Sequence, residues 1–481
     1  MNQADLAPLR IDDFTVFYNA LYGYDPFQWQ QRLAELVCQG GWPEYIKLPT
    51  ASGKTAAVDI AVFAMAYQAA TANRVDGKRT APRRIVFVVD RRTIVNAAYR
   101  RPKRAAKFLR KSVEPGTDLK AEDAVRFERL NPKQVDTLTS VANWLRVLAA
   151  DEHAPPLDCF ELRGGIYRND AWVRSPLQPT VLTSTVDQVG SRLLFRGYGV
   201  SDRNLPIHAA LTANDSLIML DEAHCSKPFS QTMKSIERYR GERWAEQAVA
   251  SPFQFVQMTA TPPSGLDDRR LTELTDHDYE VDEKLAQRHQ CSKPVRLVAL
   301  AGARTGTGNA KIAKKLAMEA HALSNDHGLK KIAIVANRVD IARQTCAELE
   351  KKHRGRVHLM IGRMRPIDRD DLTRHLQREF GSRVSSGSES AEAEAEPQFI
   401  VATQCIEVGA DLDFDGMVSQ CASLDALRQR FGRLNRLGNR SSARGTIVTG
   451  EGDAPPLDKL DSDKTIDPVY GNALARTCRC L

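Results

Sequence analysis

Short, continuous apolar runs punctuate the first part of the chain, at residues 45–48, 85–89, 180–183, 216–220 and 255–258. They are rich in β-branched residues and do not alternate with polar ones, so they predict strands buried on both faces, as in a parallel sheet. Residues 56–70 have the alanine-rich composition of a helix. Each predicted strand runs into a polar or small-residue segment, where a parallel sheet presents its carboxyl edge and where doubly wound α/β domains bind their ligands. A second series follows, with strands at 294–300, 331–336, 357–361, 399–402 and 446–449 and helices at 309–323, 339–351, 369–380 and 424–435. The expected fold class is α/β, with two tandem domains, 1–290 and 291–481, each a mostly parallel sheet flanked by helices. Two stretches are expected to lie outside both sheets. Residues 385–397, SSGSESAEAEAEP, are acidic and poor in apolar side chains, the composition of a mobile surface loop dispensable for chemistry. Residues 99–170 read as an insertion with helical pieces. Its opening, 99–111, carries seven positive residues and no acidic one, which suits either a solvated helix face or contact with phosphates.

Composition narrows the class without changing this architecture. The 481 residues are 42% hydrophobic and 27% charged, which excludes wholesale disorder, a collagen-like chain and a coiled-coil rod. No apolar stretch reaches the roughly 20 residues needed to cross a bilayer, so no membrane partner is expected. No basic segment leads into an apolar run at the N-terminus, and a cytoplasmic location is expected. Sixty-eight Lys and Arg against 60 Asp and Glu leave a net +8, compatible with a polyanionic partner. Nine cysteines without C-x-x-C spacing suit a reduced compartment and no structural zinc.

The candidate chemistry starts at residues 49–55, PTASGKT, between the first strand and the first long helix. Such a reversal curls backbone N–H groups around phosphate oxygens at a helix N-terminus. Thr50, Ser52 and Gly53 are candidates for that cradle, Lys54 for the outer phosphates and Thr55 for magnesium. The full pattern has a glycine where this chain has Leu48. The strand at 216–220 ends in Asp221-Glu222-Ala223-His224. Asp221 suits Mg2+ beside Thr55, and Glu222 suits orienting and deprotonating the attacking water. His224 is either a coupling residue or a packed loop histidine. Thr259 and Thr261 end the next strand, where hydroxyls can bond Asp221 or His224 in one nucleotide state and release them in another. Gln429, Arg433 and Arg436, spaced by four and three, predict one helix face from which arginines neutralise charge on a transferred phosphoryl group.

PTASGKT, DEAH, TAT at 259–261 and QRFGRLNR at 429–436 resemble, in order and spacing, the signature set of superfamily 2 helicases with a DExH box. The resemblance covers nearly the whole chain. It implies two RecA-like domains with ATP in the cleft between them. It also implies that Gln28 reads the adenine edge with Phe27 nearby, and that Gly409 and Asp411 lie on the nucleotide side of a loop. The nucleic-acid track implied is Arg91, Arg92, Gly164, Gly165, Ser184, Thr185 and Gln188 in the first domain, with Asn337, Arg338 and Thr403 in the second. Gly164-Gly165 equally suits a plain turn, and Gln188 a helix cap.

Residues 88–95, VVDRRTIV, and 184–199, STVDQVGSRLLFRGYG, together with MLDEAH and YGNALARTCRC at 470–480, are similar to the CRISPR-associated helicase-nucleases of type I interference systems. That resemblance implies ATP- and Mg2+-dependent movement on single-stranded DNA in antiviral defence, directed by a Cascade-type surveillance complex. The family's metal-dependent nuclease carries a His-Asp pair. Here that pair occurs only at His277-Asp278, without partner histidines at helical spacing, so the nuclease is expected in a domain or subunit elsewhere. Two other readings stand beside it: a DEAH-group RNA helicase, and a nucleotide-controlled scaffold that recruits a nuclease.

Overall fold

In the computed structural model the chain divides into two units, Met1–Asp282 and Glu283–Leu481. The residues described are 6–49, 51–90, 92–149, 151–164, 169–241, 243–244, 246, 249–260, 262–263, 265–267, 270–303, 308–362, 364–381, 396–407, 412–440, 442–453, 467 and 469–481.

The strands of the first unit are β1 Tyr45–Lys47, β2 Arg84–Val89, β3 Asp158–Leu162, β4 Thr180–Thr185, β5 Ser216–Asp221, β6 Phe253–Thr259 and β7 Leu271–Glu273. They pair in parallel in the order β3-β4-β2-β5-β6-β1-β7. Its helices are α1 Asp13–Tyr22, α2 Gln28–Cys38, α3 Ala57–Tyr67, α4 Arg92–Val113, α5 Ala121–Glu128, α6 Pro132–Ala149, α7 Val186–Leu193, α8 Leu205–Ala213, α9 Lys227–Arg240 and α10 Asp276–Val281. β2 is buried along its whole length, because α3 and α4 cover one face of the sheet while Val86 and Val88 join Val189 of α7 and Phe229 and Met233 of α9 on the other. An unbroken apolar run is what such two-sided burial requires.

The insertion expected at 99–170 lies only partly outside the sheet. β3 is its edge strand, paired with β4, and its half-buried DCFEL lacks the apolar density that marks the central strands. The basic run falls within α4, where several of its cations are used by the domain itself. Arg101 pairs with the buried Asp59 of α3 and donates to the Tyr18 hydroxyl at 2.8 Å, while Arg104 meets Asp123 at 2.8 Å and Arg110 meets Glu114 at 2.7 Å.

The strands of the second unit are β8 Val295–Leu300, β9 Lys331–Val335, β10 Val357–Met360, β11 Gln398–Ala402, β12 Gly416–Gln420 and β13 Arg444–Gly450, parallel in the order β10-β11-β9-β12-β13-β8. Its helices are α11 Glu283–Gln290, α12 Asn309–His327, α13 Val339–Glu350, α14 Pro366–Glu379, α15 Leu424–Phe431 and α16 Asn472–Cys480. The apolar run of β9 splits between two cores: Ile332 and Ile334 pack with α12 and α13, whereas Ala333 and Val335 pack with Leu376, Phe380 and Phe414. The acidic stretch expected as a surface loop lies, from 382 to 395, outside the described residues.

The helix expected at 424–435 ends at Phe431, so Gln429, Arg433 and Arg436 do not share one helix face. Leu434 explains the break. It is buried beneath the sheet, and to reach that place the chain leaves the helix and runs beside Phe414, which bonds Arg433 O and Asn435 N at 2.9 and 2.8 Å. Asn435 then takes a left-handed φ of +42°.

Candidate functional site

Parallel pairing sets the ends of β1, β6 and β5 side by side, with Lys47 in register with Thr259 and Met258 with Asp221. The loop after β1 is shaped by left-handed residues at Ala51 (φ +65°) and Gly53 (φ +82°). Glycine is favoured at the second by its left-handed φ, and a Cβ there would stand 2.8 Å from Gln30 Nε2, so that the Gln30 amide would have to shift. The start of α2 braces this loop: Trp29 Nε1 donates to Ser52 O at 3.1 Å, and Gln30 Nε2 donates to Gly53 O at 3.3 Å. Gln30 Oε1 in turn accepts from Phe27 N at 2.9 Å, and Ser52 Oγ donates to Pro49 O at 2.7 Å. Trp29 and Gln30 were not among the expected site residues, and nothing in their spacing signals the contact. Gln28 opens α2 and is half-buried.

Lys54 Nζ reaches across to Glu222 Oε1 at 3.3 Å. Glu222 Oε2 lies 3.5 Å from His224 Nδ1, and Glu222 itself holds a left-handed φ of +49°. Asp221 Oδ1 accepts the Glu222 backbone N–H at 3.1 Å. Desolvation, then the adjacent Glu222 carboxylate, push the Asp221 carboxyl up to about 6 against the pull of Lys54. A half-buried carboxylate pair with one lysine as counter-charge is a hard-oxygen donor set that suits magnesium, which its charge would relieve. Thr55 sits half-buried in the turn Lys54–Ala56 that leads into α3. Thr259 is buried at the end of β6. Thr50 and Thr261 lie outside the described residues.

In the second unit a residue that was not anticipated, Arg430, holds one of the expected ones, Asn337. This arginine is fully buried and donates Nε to Glu407 Oε1 at 2.9 Å, Nη1 to Ser419 Oγ at 2.9 Å and to Gln420 O at 2.8 Å, and Nη2 to Asn337 Oδ1 at 3.0 Å and to Tyr470 Oη at 2.8 Å. Arg433 Nη2 donates to Glu407 O at 3.3 Å. The Arg436 backbone N–H donates to Asp413 Oδ1 at 2.6 Å, and Gln429 is half-buried on α15. Gly409 and Asp411 fall outside the described residues, two and four positions after Glu407.

The expected nucleic-acid residues separate into two groups. Gly164 and Gln188 line one cavity of about 660 Å3 together with Arg163, Arg174, Arg192 and Tyr198. Gln188 does not cap α7; its Oε1 accepts from Arg192 Nη1 at 2.8 Å. Thr185 occupies the N-cap position of α7, and Arg338 that of α13. Ser184, Asn337 and Thr403 are buried: Ser184 Oγ donates to Leu162 O at 3.1 Å, Asn337 Nδ2 to Cys421 O at 2.7 Å, and Thr403 N to Met360 O at 3.3 Å. Arg92 opens α4, while Arg91 and Gly165 lie outside the described residues.

With this geometry in hand, the fold can be placed. Each unit is a mostly parallel sheet flanked by helices, an arrangement consistent with two tandem RecA-like domains. The similarity includes Cas3: a family model described as CRISPR-associated nuclease/helicase Cas3, C-terminal, matches residues 328–439. The crystal structure of T. fusca Cas3 is similar at 18% identity and a TM-score of 0.55, over 94% of this chain and 49% of that one. The T. fusca Cas3-ATP structure gives 18% and 0.54, over 97% and 51%. The DEAD-box helicase Mss116 bound to ssRNA and UDP-BeF gives 14% and 0.53, over 97% and 80%. The chain thus spans about half the length of the Cas3 structures it matches. No curated protein matches it. Among the described residues, no helix is long and apolar enough to cross a membrane.

Proposed function

We propose that this chain is a nucleic-acid-stimulated ATPase that moves along single-stranded DNA as the helicase of a type I CRISPR interference system, in the cytoplasm. The observation that carries the reading is the meeting of Lys54 and Glu222 at 3.3 Å across three neighbouring strand ends. The loop backbone around Ser52 and Gly53 is curved to surround phosphate oxygens, and Lys54 leaves Glu222 for the outer phosphates of ATP. Asp221 and Thr55 would hold Mg2+, which would neutralise phosphate charge. Freed of Lys54, Glu222 orients a water and takes its proton, with His224 steadying the second carboxylate oxygen. Arg433 and Arg436 would stabilise charge on the transferred group, and Gln429 is assigned to the same step. Thr259 relays the state of Asp221 to the strand ends.

DNA rather than RNA is favoured by the resemblance of 88–95, 184–199 and 470–480 to type I helicase-nucleases, with which the match of residues 328–439 to the Cas3 model agrees. The similarity to an ssRNA-bound DEAD-box structure keeps an RNA helicase as the second reading. We assign cutting to a nuclease outside this chain: the His277 of its one His-Asp pair stands exposed on α10, with Glu280 at 3.6 Å. A Cascade-type complex would present the DNA. ATP hydrolysis by the purified chain, measured without nucleic acid and with single-stranded DNA, single-stranded RNA or duplex, tests the reading. Stimulation strongest with single-stranded DNA is expected; equal turnover in all four conditions overturns it.

A further inference from the structure

α16 carries a thiol arrangement that the proposed hydrolysis does not use. Cys478 Sγ on this helix lies 3.1 Å from Cys421 Sγ, just beyond the end of β12, and 3.2 Å from Thr449 Oγ1. Cys421 is buried and Cys478 half-buried, and both are free thiols packed among Ala422, Leu427, Ile447 and Leu474. We propose that Cys421 and Cys478 are a redox modification site, closing to a reversible disulfide when the chain meets a peroxide.

The sulfurs already touch, so reaching a bond of about 2.05 Å asks for a shift of roughly 1 Å. Hydrogen bonds from Cys421 and then Thr449 draw the Cys478 thiol down against burial, which favours its thiolate form. Cys478 is half-buried whereas Cys421 is buried, so a peroxide reaches Cys478 first, which makes Cys478 the attacking sulfur and Cys421 the resolving one. The Cys478 thiolate attacks one peroxide oxygen, the O–O bond breaks, and the departing hydroxide takes a proton to leave as water. The Cys421 sulfur then attacks the sulfenic sulfur, the S–O bond breaks, and a second water leaves with the Cys421 proton. Two thiols lose two electrons and two protons, and the peroxide carries them off as two waters.

The bond would matter because of what Cys421 holds. Its carbonyl accepts Asn337 Nδ2, and Asn337 Oδ1 accepts from Arg430, which also donates to Tyr470 just before α16. Oxidation therefore fastens both ends of residues 470–478 to one buried network. Cys480 is exposed and two positions further on, which places it on the opposite side of the helix from Cys478.

The test treats the full chain with a small excess of hydrogen peroxide, alkylates it, and maps the peptides. We expect a linked peptide joining 421 to 478, loss of two free thiols, their return with dithiothreitol, and a rise in Tm of about 5 °C. Cys480→Ser should behave like the parent chain. Cys421→Ser should form no linked peptide and gain no Tm; should it fail to fold, Cys478→Ser supplies the same control. Persistence of both alkylatable thiols while other cysteines oxidise, pairing of Cys478 with Cys480, or pairing between two chains overturns the proposal.

Discussion

Lys54 and Arg430 are both cations at the carboxyl ends of parallel strands, and they are held in opposite ways. Lys54 meets a half-buried carboxylate at 3.3 Å, beside a loop with two left-handed residues. Arg430 is wholly enclosed, and each of its nitrogens is bonded at distances between 2.8 and 3.0 Å. A cation whose donors are all consumed by the protein fixes a shape. A cation on a long, half-open contact can be taken over by an arriving phosphate. On the proposed function the first unit would keep its charge in reserve for a ligand, whereas Arg430 of the second holds Glu407, Asn337 and Tyr470 in place.

Substituting each cluster separates these two uses. The largest expected effect is Glu222→Gln, which should lower turnover by about 10²–10⁴-fold while ATP affinity stays within a few-fold, since the base is lost and the phosphate contacts remain. Lys54→Ala should weaken ATP binding itself; affinity and rate measured on both variants check the split, and equal loss of affinity in the two removes it. Next comes Arg430→Met, expected to cost about 3–5 kcal/mol in chemical denaturation because it leaves Glu407 buried without its cation. Lys54→Ala should cost far less stability than this, because the Asp221 carboxyl, already pushed up to about 6, takes a proton readily. If the two variants lose equal stability, the distinction between reserve and scaffold collapses.

Gly53→Ala should cost about 1–3 kcal/mol from its left-handed φ, with a larger relative loss in nucleotide affinity as Gln30 is displaced. Melting and nucleotide titration of that variant read the two losses apart. The smallest effect is expected from replacing 386–396 by a Gly-Ser bridge. This removes the Arg356–Glu396 pair, 3.2 Å long with Glu396 exposed, whose contribution is below about 1 kcal/mol. Unchanged DNA-stimulated ATPase at low and physiological salt is expected, and loss of hydrolysis with the fold intact would show the segment to be a working part.

Much of the α/β architecture was legible because buried parallel strands must be continuously apolar, as in Arg84–Val89 and Lys331–Val335. β12 escaped for the converse reason: its Ser419 and Gln420 are polar, and they are buried with the Ser419 hydroxyl accepting from Arg430 and Gln420 Oε1 accepting from the Asn337 N–H. β3 escaped because an edge strand covered on few sides needs little apolar content. At the candidate site, the residues assigned to phosphate chemistry by the proposed function stand in motifs, whereas those that brace them do not. Trp29, Gln30 and Arg430 act through contacts spanning 23, 23 and up to 93 positions, which no local spacing reveals. The end of α15 was misread because Leu434 looks like one more helical residue until the core it fills is seen.

The pairing of β1 has a consequence for how the chain is made. Tyr45–Lys47 pairs with β6 and β7, about 210 positions further along, so the strand that launches the phosphate loop has no seat in the sheet until those residues have been synthesised. At ordinary elongation rates that wait lasts roughly 10–40 s. Throughout it, PTASGKT hangs on an unpaired segment while β2, β4 and β5 can already associate. Under the proposed function, nucleotide binding would thus be a late event in the birth of this domain, and a nascent chain stalled before residue 257 would be expected not to bind ATP.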